Sequence, residues 1–307
     1  MCHTTLSTVE CDVSAHVSVC VCTFRRPKSL RQLLGALAAQ RTSGRFTFDI
    51  IVVDNDRSET ARPVCERFQT ISRIPVGYYV EPVQNIALAR NRAVGQATGD
   101  YVALIDDDEL PADGWLLRLF EARERCQSDG VLGPVLPFYE EEPPSWVVKG
   151  RFHERPQHQT GEVLRWDQTR TGNVLLRRAV FGLIQGPFRA EFGMGGEDRD
   201  FFKRAISRGC RFVWCADAHV RELVPIARCR RSFMLKRALL RGTIPQFGPA
   251  DALRSMVAIP LYTLFLPVAF ALGQHMFMKY LVKDLDHVGR LLAFAGVRVI
   301  KENYVTS

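Results

Sequence analysis

The stretch Tyr101-Val102-Ala103-Leu104-Ile105-Asp106-Asp107-Asp108-Glu109-Leu110-Pro111 decides how the rest of the chain is read. An apolar run ends abruptly in four consecutive carboxylates. These repel one another, so a strand end holds them only against a counter-charge. A hard divalent cation holding a diphosphate is the foremost candidate, because Mg2+ or Mn2+ takes one or two carboxylates and fills its shell with phosphate oxygens and water.

Upstream, strands and helices alternate. Val17 to Cys22 is β-branched and apolar and reads as a buried strand. Arg26-Pro27 breaks it, and Pro27 suits the first turn of a helix whose apolar positions are Leu30, Leu33, Leu34, Leu37 and Ala38. Asp49 to Val53 is a second strand, ended by Asp54-Asn55-Asp56. A short helix through Val64, Cys65 and Phe68 leads to a strand at Val76 to Val80. Asn85 to Ala97 is a third helix with Gly99 as its stop, followed by the strand that ends in the aspartates. This order implies an α/β fold, a mostly parallel sheet flanked by helices. Ligands bind outside the carboxyl ends of such strands, where Thr23, Asp54 and Asp106 to Asp108 fall. Any one of them could be a turn or cap residue; three polar strand ends at one edge point to a site. The glycine fingerprints of dinucleotide and P-loop sites are absent.

Downstream, Pro111 to Cys126 reads as a helix with Trp115, Leu116, Leu119 and Phe120 on one face, and Gly130 to Leu136 as a strand. Phe138 to Gln168 is a polar, proline- and aromatic-rich loop. Thr171-Gly172-Asn173 precedes a strand at Val174 to Leu176. Glycines 193, 195 and 196 then precede Glu197, Asp198 and Asp200 at the start of an apolar helix. Asp200 is expected only to complement the helix dipole. A carboxylate here, held ionised near a bound diphosphate, could take a proton from an attacking hydroxyl.

The net charge of +8 fits phosphorylated substrates, anionic lipid or nucleic acid. The nine cysteines form no C-x-x-C pair, and Cys20 and Cys22 sit in a strand-like run, so reduced thiols are expected rather than a disulfide framework. The polar N-terminus, Met1 to His16, lacks the apolar core of a secretion signal.

Five segments in order resemble the motifs of family-2 glycosyltransferases: Val17 to Pro27, Ile51 to Asn55, Asn85 with Ala89-Arg90-Asn91, Ile105 to Glu109, and Gly195 to Asp198. The run from Asp106 to Trp115 and Thr171 to Leu175 is most similar to glucosyltransferases of succinoglycan-type exopolysaccharide assembly. The resemblance covers about Val17 to Arg241. It implies the nucleotide-diphospho-sugar transferase (GT-A) fold and an inverting, metal-dependent hexosyl transfer, with UDP-glucose as the expected donor. Residue by residue, it implies that Thr23 and Asp54 contact the base and ribose and that Arg90 faces the nucleotide or its phosphates. Asp106 would bind ribose or metal, Asp108 would be the main ligand of Mg2+ or Mn2+, and Asp107 leaves that assignment open by one position. Asp198 would be the general base, with Glu197 orienting the acceptor, and Gly172-Asn173 would shape the sugar pocket. Expected partners are a nucleotide-sugar donor and a lipid-linked or glycan acceptor. A sugar-nucleotide pyrophosphorylase, or a noncatalytic membrane-associated protein retaining the fold, is the alternative; the first would carry a glycine-rich basic loop that Cys22 to Arg26 lacks.

The C-terminal third points to a membrane. Eight basic residues between Arg221 and Arg254 precede Ser255 to Met278, which holds no Asp, Glu, Lys or Arg. A basic stretch beside an apolar one fits attachment to an anionic membrane surface, peripheral or monotopic, while the apolar length also permits a single span. A nucleic-acid partner is not expected, since no recognised binding module accompanies the basic residues. The expected organisation is a tail at 1–16, a catalytic domain at 17–225 (nucleotide half 17–110, acceptor half 111–225) and a helical membrane-associating region at 226–307. The expected location is the cytoplasmic face of the inner membrane. The sequence leaves the oligomeric state open.

Overall fold

The computed structural model describes residues 15–193, 195–241 and 249–297. Most of the expected N-terminal tail with Cys2 and Cys11, Met194 of the glycine-rich loop, the link at 242–248 and the last ten residues lie outside the described residues.

The chain runs β1 (His16–Thr23), α1 (Pro27–Ala38), β2 (Thr47–Asp54), α2 (Arg62–Ile71), β3 (Val76–Val80), α3 (Ile86–Gln96) and β4 (Tyr101–Asp106). It continues through β5 (Glu109–Pro111), α4 (Trp115–Cys126), β6 (Gly130–Leu132), β7 (Val135–Phe138), α5 (Ser145–Lys149), β8 (Val174–Arg177), α6 (Ala179–Gly182) and α7 (Glu197–Ser207). Last come β9 (Phe212–Trp214), β10 (Val220–Leu223), α8 (Arg231–Arg241), α9 (Pro249–Ala271) and α10 (Gln274–Phe294).

Seven strands form one sheet in the order β3-β2-β1-β4-β8-β6-β9, parallel except where β8 lies antiparallel to β4 and β6. Side-chain alternation fills both faces, as the strand period requires. Val17, Val19, Val21, Ile50, Val52, Ala103 and Ile105 pack toward α1, α2 and α4. Cys20, Ile51, Val53, Val102 and Leu104 pack toward α3, α6 and α7. A second, small sheet of order β5-β10-β7 sits beyond the carboxyl end of β4, so the acidic run is the corner where the chain passes between sheets.

Three local expectations are corrected. The helix placed at Pro111 begins at Trp115, because Glu109–Pro111 pairs with β10 and Gly114, at φ 70°, turns the chain first. The single strand Gly130 to Leu136 is two strands in two sheets, parted at Gly133, where a Cβ would lie 2.1 Å from the Ala218 carbonyl oxygen. Gly99 does not stop α3, which ends at Gln96. It lets the chain pass β1, since a Cβ there would sit 2.8 Å from the His16 oxygen and the Ser18 nitrogen. The long loop also contains α5 and a 3-10 turn at Trp166–Gln168. Asn85 caps α3 from outside, its Oδ1 accepting from the Ala87 and Leu88 N–H groups.

Candidate active site

Parallel pairing brings the carboxyl ends of β1, β2 and β4 to one edge: Thr23 lies opposite Asp54, and Cys22 opposite Asp106. The counter-charge that the acidic run demands is supplied by three arginines. Arg26 donates through Nη1 to Asp107 Oδ1 (3.0 Å) and Asp108 Oδ2 (2.9 Å). Arg228 donates to Asp108 Oδ2 and Glu222 Oε1, each at 3.3 Å, and Arg155 also pairs with Glu222. Arg90, buried on α3, donates to Asp106 Oδ1 at 3.0 Å and pairs with Glu197 at the start of α7. The two acidic clusters therefore share one guanidinium.

Burial dominates the electrostatics. It raises Asp107 to about 6, with Asp108 adding to the rise, while Arg26 and the Thr23 hydroxyl (2.7 Å) oppose it. Burial likewise raises Asp108 against the pull of Arg26. Glu109 is 1% exposed and is pushed well above the usual carboxyl range, first by burial and then by Asp106. Its Oε2 accepts the Asp106 N–H at 3.2 Å, and its Oε1 is buried without a partner, as is Glu197 Oε2.

The residues singled out from sequence divide into two groups. Thr23, Asp54 and Asn173 have their side chains committed within the protein. Thr23 donates to Asp107. Asp54 is fully buried and accepts from the Ala61 and Asp56 N–H groups and the Tyr78 hydroxyl. Asn173, at φ 57°, accepts from Trp115 Nε1 (2.6 Å) and donates to the Pro134 and Ala218 carbonyls (2.8 Å each), tying α4 to both sheets. Asp106, Asp108, Gly172 and Asp198 stay open to a ligand. Asp106 is 43% exposed at its side chain and keeps Oδ2 unpaired; Asp108 Oδ1 is unpaired too, among the described residues. A Cβ on Gly172 would lie 2.6 Å from Glu109 Oε1 and 3.2 Å from Asp106 Oδ2, so its absence leaves room for both oxygens. Among the described residues the Asp198 carboxylate accepts only from the adjacent Arg199 N–H, at 2.7 Å. Asp200 does more than complement a dipole: it clamps Arg189 and Arg204 and so fixes the loop before α7.

Among the described residues no group of three or more His, Cys, Asp or Glu side chains is placed to hold a metal ion. The donor set still fits Mg2+ or Mn2+. One oxygen each of Asp106 and Asp108 has no partner among the described residues, the unpartnered Glu109 Oε1 and Asp106 Oδ2 both line the space over Gly172, and such ions need only one or two carboxylates. Sequence reasoning missed Arg228, Arg155 and Glu222, which lie far along the chain and carry no local motif. Arg26 was visible only as part of a strand-breaking pair. A cavity of about 1040 Å³ opens elsewhere, at the amino end of β4 beside Asp100 and Arg177, away from these carboxylates.

Comparison with known proteins bears on what the site does. The model of glycosyl transferase family 2 matches residues 18–181. The chain is 36% identical over 232 residues to the succinoglycan biosynthesis protein ExoM of Rhizobium meliloti (strain 1021), covering 74% of this chain and 73% of that one. It is 25% identical over 202 residues to the glycosyltransferase AglE of Haloferax volcanii, covering 66% and 64%. The structure of S. aureus TarS residues 1–349 in complex with UDP has a TM-score of 0.53 at 16% identity over 93% of each chain, a likeness of fold.

Proposed function

The chain belongs to glycosyl transferase family 2 and is related to exopolysaccharide-synthesis enzymes, and from that premise we propose that it transfers glucose from UDP-glucose, with inversion, to a lipid-linked or glycan acceptor. The observation that carries the reading is the shared guanidinium: Arg90 holds Asp106, on the donor side, and Glu197, beside Asp198, in one rigid unit.

Mg2+ or Mn2+ would be held by Asp106 and Asp108, and when bound it neutralises charge developing on the departing nucleoside diphosphate. The protein's own groups do the rest. Arg90 fixes the distance between the two carboxylate clusters. Gly172 keeps the floor low enough for a sugar to approach Asp106. Asp198 is the acidic side chain at the start of α7 that no arginine occupies among the described residues, so it takes the proton from the acceptor hydroxyl as that oxygen attacks the anomeric carbon. Attack from the face opposite the leaving diphosphate turns an α-linked donor into a β-linked product. Thr23 and Asp54 act by shaping the nucleotide-side loops, since their side chains are spent internally. In this reading the transfer takes place at the cytoplasmic face of the inner membrane, supported by the apolar helix α9 beside a basic stretch.

The test is a panel of nucleotide sugars scored for nucleoside diphosphate release, with and without Mn2+. The expected result is preferential turnover of UDP-glucose that rises with added lipid-linked acceptor, the product being β-linked by NMR. Equal indifference to every donor, or an α-linked product, contradicts the reading.

A further inference from the structure

The three C-terminal helices are stacked in an order that decides how the protein meets a bilayer. α10 is the middle layer. On one side it grips α8: Arg241 pairs with Asp286 through two nitrogens (2.9 and 3.0 Å), and Gly289 lets the α8 backbone approach, a Cβ there falling 2.5 Å from the Leu239 oxygen. On its other side it carries α9 as an antiparallel partner. Ser255 meets His287 at 3.0 Å, Thr263 donates to Asp284 at 3.1 Å, and Phe270 packs on Phe277 beside the turn at Gly273. The stack is anchored to the catalytic domain by Trp146, Val147, Val224, Cys229, Met234 and Met278.

α9 is therefore outermost, and its free face is continuous. Leu253, Val257, Leu261, Leu264 and Val268, and Leu272 just past the helix end, follow one another at steps of three and four, each between 51% and 77% exposed. Residues this far apart lie on one helix face. The face carries no charge beyond Arg254 at its start, and exposed Lys279 and Lys283 stand on α10 just past the turn. A surface apolar over ~28 Å of helix and bordered by cations matches an anionic bilayer.

At 23 residues, α9 is also long enough to cross a membrane. Its packing argues against crossing. α10 lies along it and bears Lys279, Lys283, Asp284, Asp286 and Arg290, all of which would be drawn toward the hydrocarbon with it. Asp284 is tied to Thr263 in the middle of α9, so the two helices cannot separate without stranding a buried carboxylate.

We propose that α9 lies in the plane of an anionic membrane as the sole of a monotopic foot. Its leucine-rich face enters the acyl boundary, α10 forms the polar layer above it, and α8 joins the foot to the catalytic domain. The inference goes beyond the proposed glycosyl transfer and does not depend on its chemistry.

The test uses the full chain and vesicles of phosphatidylglycerol with phosphatidylcholine, against phosphatidylcholine alone. Nitroxide labels are placed singly at positions 253, 261, 264 and 268, in a background with the reactive native cysteines replaced by serine. The expected result is one common shallow depth at all four positions, with release of the protein by alkaline carbonate. Leu264→Glu should weaken vesicle binding about tenfold or more while leaving nucleotide binding and circular dichroism unchanged. Lys279→Gln should weaken it about fivefold, on anionic vesicles only. A depth that changes steadily from 253 to 268, with resistance to carbonate, overturns the proposal in favour of a span. Absence of vesicle binding together with a lipid-free dimer broken by Leu264→Glu overturns it in favour of a second copy on this face.

Discussion

Arg90 reaches Asp106 with Nη2, at 3.0 Å, and Glu197, 107 residues further along the chain, with Nη1, so one buried guanidinium joins the end of β4 to the start of α7. A fork is needed for this, because two carboxylates on different elements must be met by two donors in fixed geometry. Arg90→Lys can satisfy only one at a time. Transfer should fall at least about a hundredfold, with Arg90→Ala also losing about 3 kcal/mol of stability as Glu197 is left buried and uncompensated. Steady-state kinetics and urea unfolding check both. A fully active Arg90→Lys variant would remove the link from the mechanism.

Asp198 and Asp108 should fail differently. Asp198→Asn keeps size and hydrogen bonding but cannot accept a proton, so turnover should drop about 10² to 10⁴-fold while donor affinity survives. Asp108→Ala should instead abolish the Mn2+-dependent part of nucleotide binding in calorimetry. The assignment fails if Asp198→Asn turns over normally.

Gly172→Ala places a methyl 2.6 Å from Glu109 Oε1 and 3.2 Å from Asp106 Oδ2. Glu109 is buried, so clearing the methyl forces its carboxylate, and that of Asp106, to shift within a packed site. Activity should fall about tenfold or more, with the melting temperature little changed. The measurement is kcat/KM alongside thermal unfolding.

Asn173 is a stability residue by geometry. Asn173→Gly keeps the left-handed backbone at φ 57° and removes only the amide, leaving Trp115 Nε1 and the Ala218 carbonyl without their partner, while the Pro134 carbonyl keeps the Val220 N–H. The expected loss is about 2–4 kcal/mol by denaturant unfolding. Tolerance of this change would mean that water replaces the amide.

His153 should impose an acid limit. Burial, reinforced by Arg237, Arg228 and Arg155, lowers its pKa to about 4. The unfolded chain takes that proton near pH 6.5, so the stability is complete above 6.5 and is lost as the pH falls toward 4. His153→Phe keeps a ring against Tyr139 and removes the titration. The parent should lose about 1–2 kcal/mol more than the variant between pH 7 and 4, a figure discounted for partial exposure.

Much of the catalytic domain is legible in local sequence. β-branched runs such as Val17 to Cys22 cannot be buried on both faces except as inner strands, and leucines at helical spacing after Pro27 leave little freedom. Local reading misplaced an element end at Gly133 and Gly99, because the atom that a Cβ would strike belongs to a distant segment, and at Gly114, because a left-handed turn and pairing with distant β10 delay the helix.

By itself, the sequence determined the alternating architecture, the family and the positions of both acidic clusters, because these depend on residue type and short-range period. Only the tertiary structure decided what meets them. Arg26, Arg90, Arg155 and Arg228 become the counter-charges of Asp106 to Asp108, Glu197 and Glu222 through packing that no spacing encodes. The same holds for the apolar run from Ser255 to Met278. Its composition favours a surface helix but also permits a span. The proposal of a surface helix rests on the middle helix of the stack, which ties it, through Thr263 and Asp284, to charges that must stay near water.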